Sequence, residues 1–125
     1  MTASAVTMGI AGIMMSFLPH EILTYFGMGE NHFGEALLIQ VAGAIYFGFA
    51  MINWTARANL IGGIYNRPVA IGNLTHFVIG ALALVKASFR AQDSSVILFT
   101  IVYAVFAILF GIVFFTHPVK ENQNA

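Results

Sequence analysis

VILFTIVYAVFAILFGIVFFT, residues 96 to 116, runs for 21 positions without a charged side chain. A helix of that length at about 1.5 Å per residue spans about 30 Å, the depth of a bilayer's hydrocarbon core. A barrel strand crossing the same slab needs only about 10 residues and alternates apolar with polar. An unbroken apolar run therefore reads as a helix, which satisfies its own backbone N–H and C=O groups where no water can. Asp93, Ser94 and Ser95 supply N-cap chemistry ahead of it, and Pro118 closes it.

The same pattern repeats toward the N-terminus. Pro68 opens a span reaching roughly Ala87, where Lys86 can extend to water, and another runs from about Ala36 to Ala56 behind Glu35, with Trp54 marking its far interface. A first span, about residues 2 to 18, stops at Pro19. It lacks a basic leader and a small-x-small cleavage site, so it reads as a retained span. Residues 3 to 18 would cover only about 24 Å, which implies either a locally thinned bilayer or a native start that has lost residues. Residues 19 to 26 set Ile22, Leu23 and Phe26 against His20, Glu21 and Thr24, as in a short interfacial helix, and Gly27, Gly29 and Gly34 loosen the chain between it and the next span. The loop from Arg57 to Arg67 holds Gly62-Gly63, Tyr65 and Asn66, and the tail KENQNA should fray. The expected fold is all-α, a single domain over residues 1 to 125: an integral membrane four-helix bundle with spans about 2–18, 36–56, 68–87 and 96–116.

Composition agrees. Of 125 residues 59% are hydrophobic and 8% charged, and the mean hydropathy is +0.86. Soluble domains carry about 25% charged residues. Five Lys and Arg balance five Asp and Glu, so no long-range field recruits nucleic acid. With no cysteine there is no thiolate nucleophile, iron–sulfur cluster or cysteine-held zinc. Basic residues set the orientation: Arg57, Arg67 and Lys120 on one side outvote Lys86 and Arg90 on the other, placing the termini and second loop in the cytoplasm. IYFGFA (45 to 50) and VYAVFA (102 to 107) echo one another, a pattern that hints at duplicated hairpins.

At 100° per residue Ala36, Gly43, Tyr46, Ala50, Asn53 and Arg57 fall on one stripe of the second span, with Val41, Ile45, Phe49 and Ile52 on the other side. Val69, Gly72, Asn73, His76, Gly80, Ala83 and Ala87 make a similar stripe on the third. Small residues permit close approach where lipid offers no hydrophobic drive, so these two spans are expected to be neighbours. Depth then groups Asn53, Arg57, Asn73 and His76, with Tyr46 on the same stripe, beside the second loop, while Gln40 lies near the opposite face. Three readings stay open: hydrogen bonds that tie helices together, contacts to a bound ligand, and proton transfer through His76, whose ring ordinarily titrates near neutral pH. Arg57 and Arg67 are either orientation anchors or a grip on a lipid headgroup.

Other chemistries lack their parts. His20, His32 and His117 lie outside or at the edges of spans, so haem finds no pair of axial ligands at matching depth, and Glu21, Glu30 and Glu35 read as solvated charge rather than a metal site. No nucleophile, base and orienting acid come together, and no phosphate-binding glycine motif is present, so an enzyme is the less favoured reading. The six Met and twelve Phe residues read as lipid-facing and packing surface.

GIMMSFLPHEILTYFGM (12 to 28) followed by VAGAIYFGFAMINWTAR (41 to 57) resembles the small DoxX-like four-helix membrane proteins of bacteria, in which a first helix ends in a Pro-acid turn and a Gly-Ala second helix ends near a basic residue. The resemblance would cover residues 9 to 116, although many such chains carry a basic residue in the first helix and this one does not. It implies a membrane accessory role near lipophilic redox carriers and transfers no catalytic residue. The expected function is that of a binding or accessory component of the bacterial inner membrane, with a lipid- or quinone-like molecule held between the second and third spans. The alternative is an oligomeric transporter or channel for a small solute. The expected partners are the lipid bilayer, a lipophilic small molecule, and further copies of the chain or a larger membrane complex. The sequence names no cofactor.

Overall fold

A proline and a capping carboxylate mark the starts of two helices, at Pro19 and after Asp93. The structure, a computed structural model, describes residues 1–28, 32–58, 66–91 and 93–116, with the side chains of Asn66 and Ala91 left aside. These residues form five helices and no strand: α1 (Thr2–Phe17), α2 (Pro19–Tyr25), α3 (Phe33–Ala56), α4 (Asn66–Ala91) and α5 (Ser94–Phe115). The expected roles of Gly29, Glu30, Gly62-Gly63, Tyr65, His117, Pro118 and the tail with Lys120 fall outside the described residues.

The chain divides into two compact units, Met1–Arg57 and Ala58–Ala125. In the first, α1 and α3 run antiparallel, with Gly12 near Gly43, Gly9 near Ala50 and Ser4 near Asn53. The first helix stops where the sequence implies: α1 ends at Phe17, Leu18 leaves helical geometry (φ −124°, ψ 43°), and α2 departs at 94° to α1 with Pro19 in its first turn. Proline suits that position because the N–H it lacks is one of the helix's orphans. Pro19 and Leu23 are buried, whereas His20, Glu21 and Thr24 face outward, so α2 has the two faces its sequence implies, though Phe26 lies exposed. Gly27 closes α2 with φ +76°: its N–H donates to the Thr24 carbonyl (3.0 Å) and the Met28 N–H to the Leu23 carbonyl (2.9 Å), the paired bonds of a Schellman cap. That φ is the left-handed region, where glycine carries no Cβ penalty.

In the second unit α4 and α5 are antiparallel, pairing Leu74 with Gly111, Phe77 with Phe110 and Gly80 with Tyr103. α4 starts earlier and ends later than expected, at Asn66 and Ala91. Pro68 is compatible with this because it still lies within the first turn, where no intrahelical partner is lost. The Asp93 carboxylate accepts from the Ser95 N–H at 2.7 Å, the expected cap of α5. The echoing segments 45 to 50 and 102 to 107 lie on α3 and α5, the second long helix of each unit.

Among the described residues three helices, α3, α4 and α5, are long and apolar enough to cross a membrane, and α1 with α2 makes a fourth if the bent pair counts as one span. Large apolar side chains face outward along all of them, Phe89 at 81% and Phe115 at 77% exposed among them. In water such a surface would aggregate; in hydrocarbon it is solvated. Such helices are those of a chain suited to a membrane.

Candidate functional site

The cluster expected from the sequence draws on both units: Tyr46, Asn53 and Arg57 belong to the first, and Arg67, Asn73 and His76 to the second. Each set belongs to its own pair of helices.

On α3 the small stripe faces protein as its spacing implies, since Ala36, Gly43, Ala50 and Asn53 are buried and Tyr46 half-buried. The contacts of Gly43, Ala50 and Asn53 go to α1, whereas the stripes alone assign the close approach to the third span. A Cβ on Gly43 would sit 2.7 Å from the Ser16 backbone nitrogen and 2.8 Å from the Gly12 carbonyl oxygen, and one on Gly12 would sit 2.7 Å from the Phe47 nitrogen. The two backbones are thus in direct contact, as small residues allow in lipid. Further along α3 Asn53, fully buried, donates through Nδ2 to Ser4 Oγ (3.3 Å) and toward Met8 Sδ (3.8 Å), while Ser4 Oγ donates to the Met1 carbonyl (2.8 Å). Asn53 is therefore part of a polar chain that joins α3 to the start of α1. Arg57 lies just past α3, exposed, its guanidinium carbon 3.2 Å from the centroid of the Trp54 ring one turn back.

On α4 Asn73 is also fully buried and donates to the Val69 carbonyl one turn before it (2.8 Å). His76 Nε2 shares a hydrogen bond of 3.3 Å with the Tyr103 hydroxyl of α5. Gly80, one turn beyond His76, makes room for that tyrosine, because a Cβ there would lie 2.5 Å from Tyr103 Cε1. Beside the pair stands an aromatic column: Phe77, 2% exposed, lies 5.3 Å from Tyr103, stacks on Phe106 at 4.9 Å and on Phe110 at 5.6 Å. Arg67 is exposed in the first turn of α4.

Sequence reasoning misses Tyr103, Ser4 and Met8. Tyr103 has a signal, since it matches Tyr46 in the echoing segments; Ser4 and Met8 have none, because nothing in a helical wheel names the partner helix. Among the described residues no three His, Asp or Glu side chains gather as metal ligands would. No family model matches the chain, no curated protein is significantly similar to it, and no solved structure matches its fold.

Proposed function

We propose that this chain is a small bacterial inner-membrane protein, a four-span bundle with cytoplasmic termini, that acts as a binding or accessory component for a lipid- or quinone-like molecule. The support is a single arrangement: a histidine and a tyrosine sharing a 3.3 Å hydrogen bond within a helix pair, with the aromatic ring of Phe77 packed against both. A polar group amid apolar walls orients a lipophilic ligand by one directed bond while the walls supply contact area. Intramembrane ionisable groups are costly to keep in hydrocarbon, which favours a functional role for His76. Asn73, bonded within α4 one turn before His76, would then belong to the frame that holds the histidine in place. The DoxX-like resemblance supports the same class of role.

The test is direct. The full chain, purified in mild detergent and examined by native mass spectrometry, should retain a small apolar molecule, and a panel of lipids and quinones should raise its melting temperature. Tyr103→Phe should weaken that rise while leaving the fold intact. A chain that carries nothing and shows no shift across the panel would overturn the reading.

A further inference from the structure

We infer that Trp54 and Arg57 together form a binding site for the phosphate of an anionic phospholipid headgroup at the end of α3, a site independent of the ligand proposed above. Arg57 is the first residue beyond α3, the helix Phe33–Ala56 that is apolar enough to cross a membrane, so its side chain emerges where hydrocarbon gives way to water. Its guanidinium lies over the Trp54 ring at 3.2 Å, and both residues are exposed, Trp54 at 45%.

A guanidinium stacked on an indole uses its face, and its N–H donors lie in its plane. The stack therefore fixes the group while leaving the donor edges directed outward. The described carboxylate of Glu35 is engaged by His32 at the other end of α3, and no described carboxylate is paired with Arg57. The paired N–H edges of a guanidinium match two oxygens of a phosphate, which makes a phosphodiester the fitting occupant. One effect opposes this: the C-terminal end of a helix carries about half a negative charge. The full positive charge of Arg57 exceeds it, and the local field stays attractive to an anion.

Lys86 and Arg90 provide an internal control. Both are exposed basic residues near the end of α4, and neither has a described aromatic stack. If charge alone drew lipid, Arg90 would serve as well as Arg57.

The experiment uses the full chain in nanodiscs of mixed phosphatidylglycerol and phosphatidylcholine, with lipid retained after detergent extraction counted by native mass spectrometry. Arg57→Gln should lower the preference for phosphatidylglycerol about fivefold, the weight of one basic residue at an anionic lipid surface. Trp54→Leu should lower it by a smaller factor, and Arg57→Lys, which keeps the charge without the flat fork, should fall between wild type and Arg57→Gln. Arg90→Gln should leave the preference unchanged. Inorganic phosphate at millimolar concentration should not displace the lipid; displacement would assign the site to a soluble anion and overturn the lipid assignment. Equal losses in Arg57→Gln and Arg90→Gln, or none in Arg57→Gln, would overturn the site itself. Circular dichroism of each variant separates these outcomes from misfolding, and Arg57→Lys carries the test should the glutamine variant not fold.

Discussion

The first unit is held by what its helices lack, the second by what its helices carry. α1 and α3 meet at Gly12 and Gly43, where peptide groups touch and the one side chain at the Gly43 contact is the short hydroxyl arm of Ser16. α4 and α5 are kept together by a column of four rings, Tyr103, Phe77, Phe106 and Phe110. In hydrocarbon neither gains from expelling water, so both rely on close packing, yet one is stiff at its contact and the other deformable. A backbone cannot rotate out of the way, whereas a phenyl ring can.

Substitutions at matched positions probe this difference. The largest effect is expected for Gly43→Ile, which drives a branched side chain into the Ser16 and Gly12 backbones; the loss should reach about 3 kcal/mol or more, the upper range for overpacking, read as an earlier unfolding midpoint in a denaturing-detergent titration. A midpoint equal to wild type would break the claim of backbone contact. Next comes Phe77→Ala, which removes a ring of roughly 100 Å³ and, at about 24 cal/mol per Å³ of cavity, should cost about 2 kcal/mol in the same titration. The transfer contribution largely drops out because lipid solvates the unfolded side chain as well.

Gly80→Ala sharpens the contrast further. Its added carbon meets a ring rather than a backbone, so it should cost about 1 kcal/mol and turn Tyr103 away from His76, a change visible as a shift in the tyrosine ultraviolet Raman doublet. If Gly80→Ala proved as damaging as Gly43→Ala, the two contacts would not differ in kind. The smallest effect belongs to Asn53→Ala. Interhelical hydrogen bonds in membranes average about 0.6 kcal/mol, so loss of the Ser4 bond should move the midpoint only slightly, resolved best by comparison with the double variant Ser4→Ala/Asn53→Ala, whose effects should not add.

Much of this architecture is legible in the sequence. Apolar runs of about 20 residues mark α3, α4 and α5, and Pro19 and Asp93 mark two helix starts, because each signal acts within a few residues of itself. The buried face of α3 is legible as well, since 100° per residue places Ala36, Gly43, Ala50 and Asn53 together. Its partner is not. A helical wheel reports which side is protein-facing and is silent on what lies opposite, so the grip of Gly43 on Gly12 and Ser16, and of Asn53 on Ser4, emerges only in the fold. Pro19 announces the turn at Leu18, but not its size, 94°. Tyr103 hides among apolar neighbours because its role depends on a glycine in another helix.

α5 has a property rooted in how little of it is enclosed. Phe110 is the one residue it buries among those described, and apolar side chains coat it on every side. Lipid therefore exerts almost no torque on it, and nothing in its hydrophobicity selects one azimuth about the helix axis over another. The notch at Gly80 and the hydroxyl that reaches His76 act as an indexing pin. With Tyr103 shortened to alanine, only the stacking of Phe106 and Phe110 on Phe77 would set the rotation of α5, and its azimuth would loosen before the helix lost its place in the membrane.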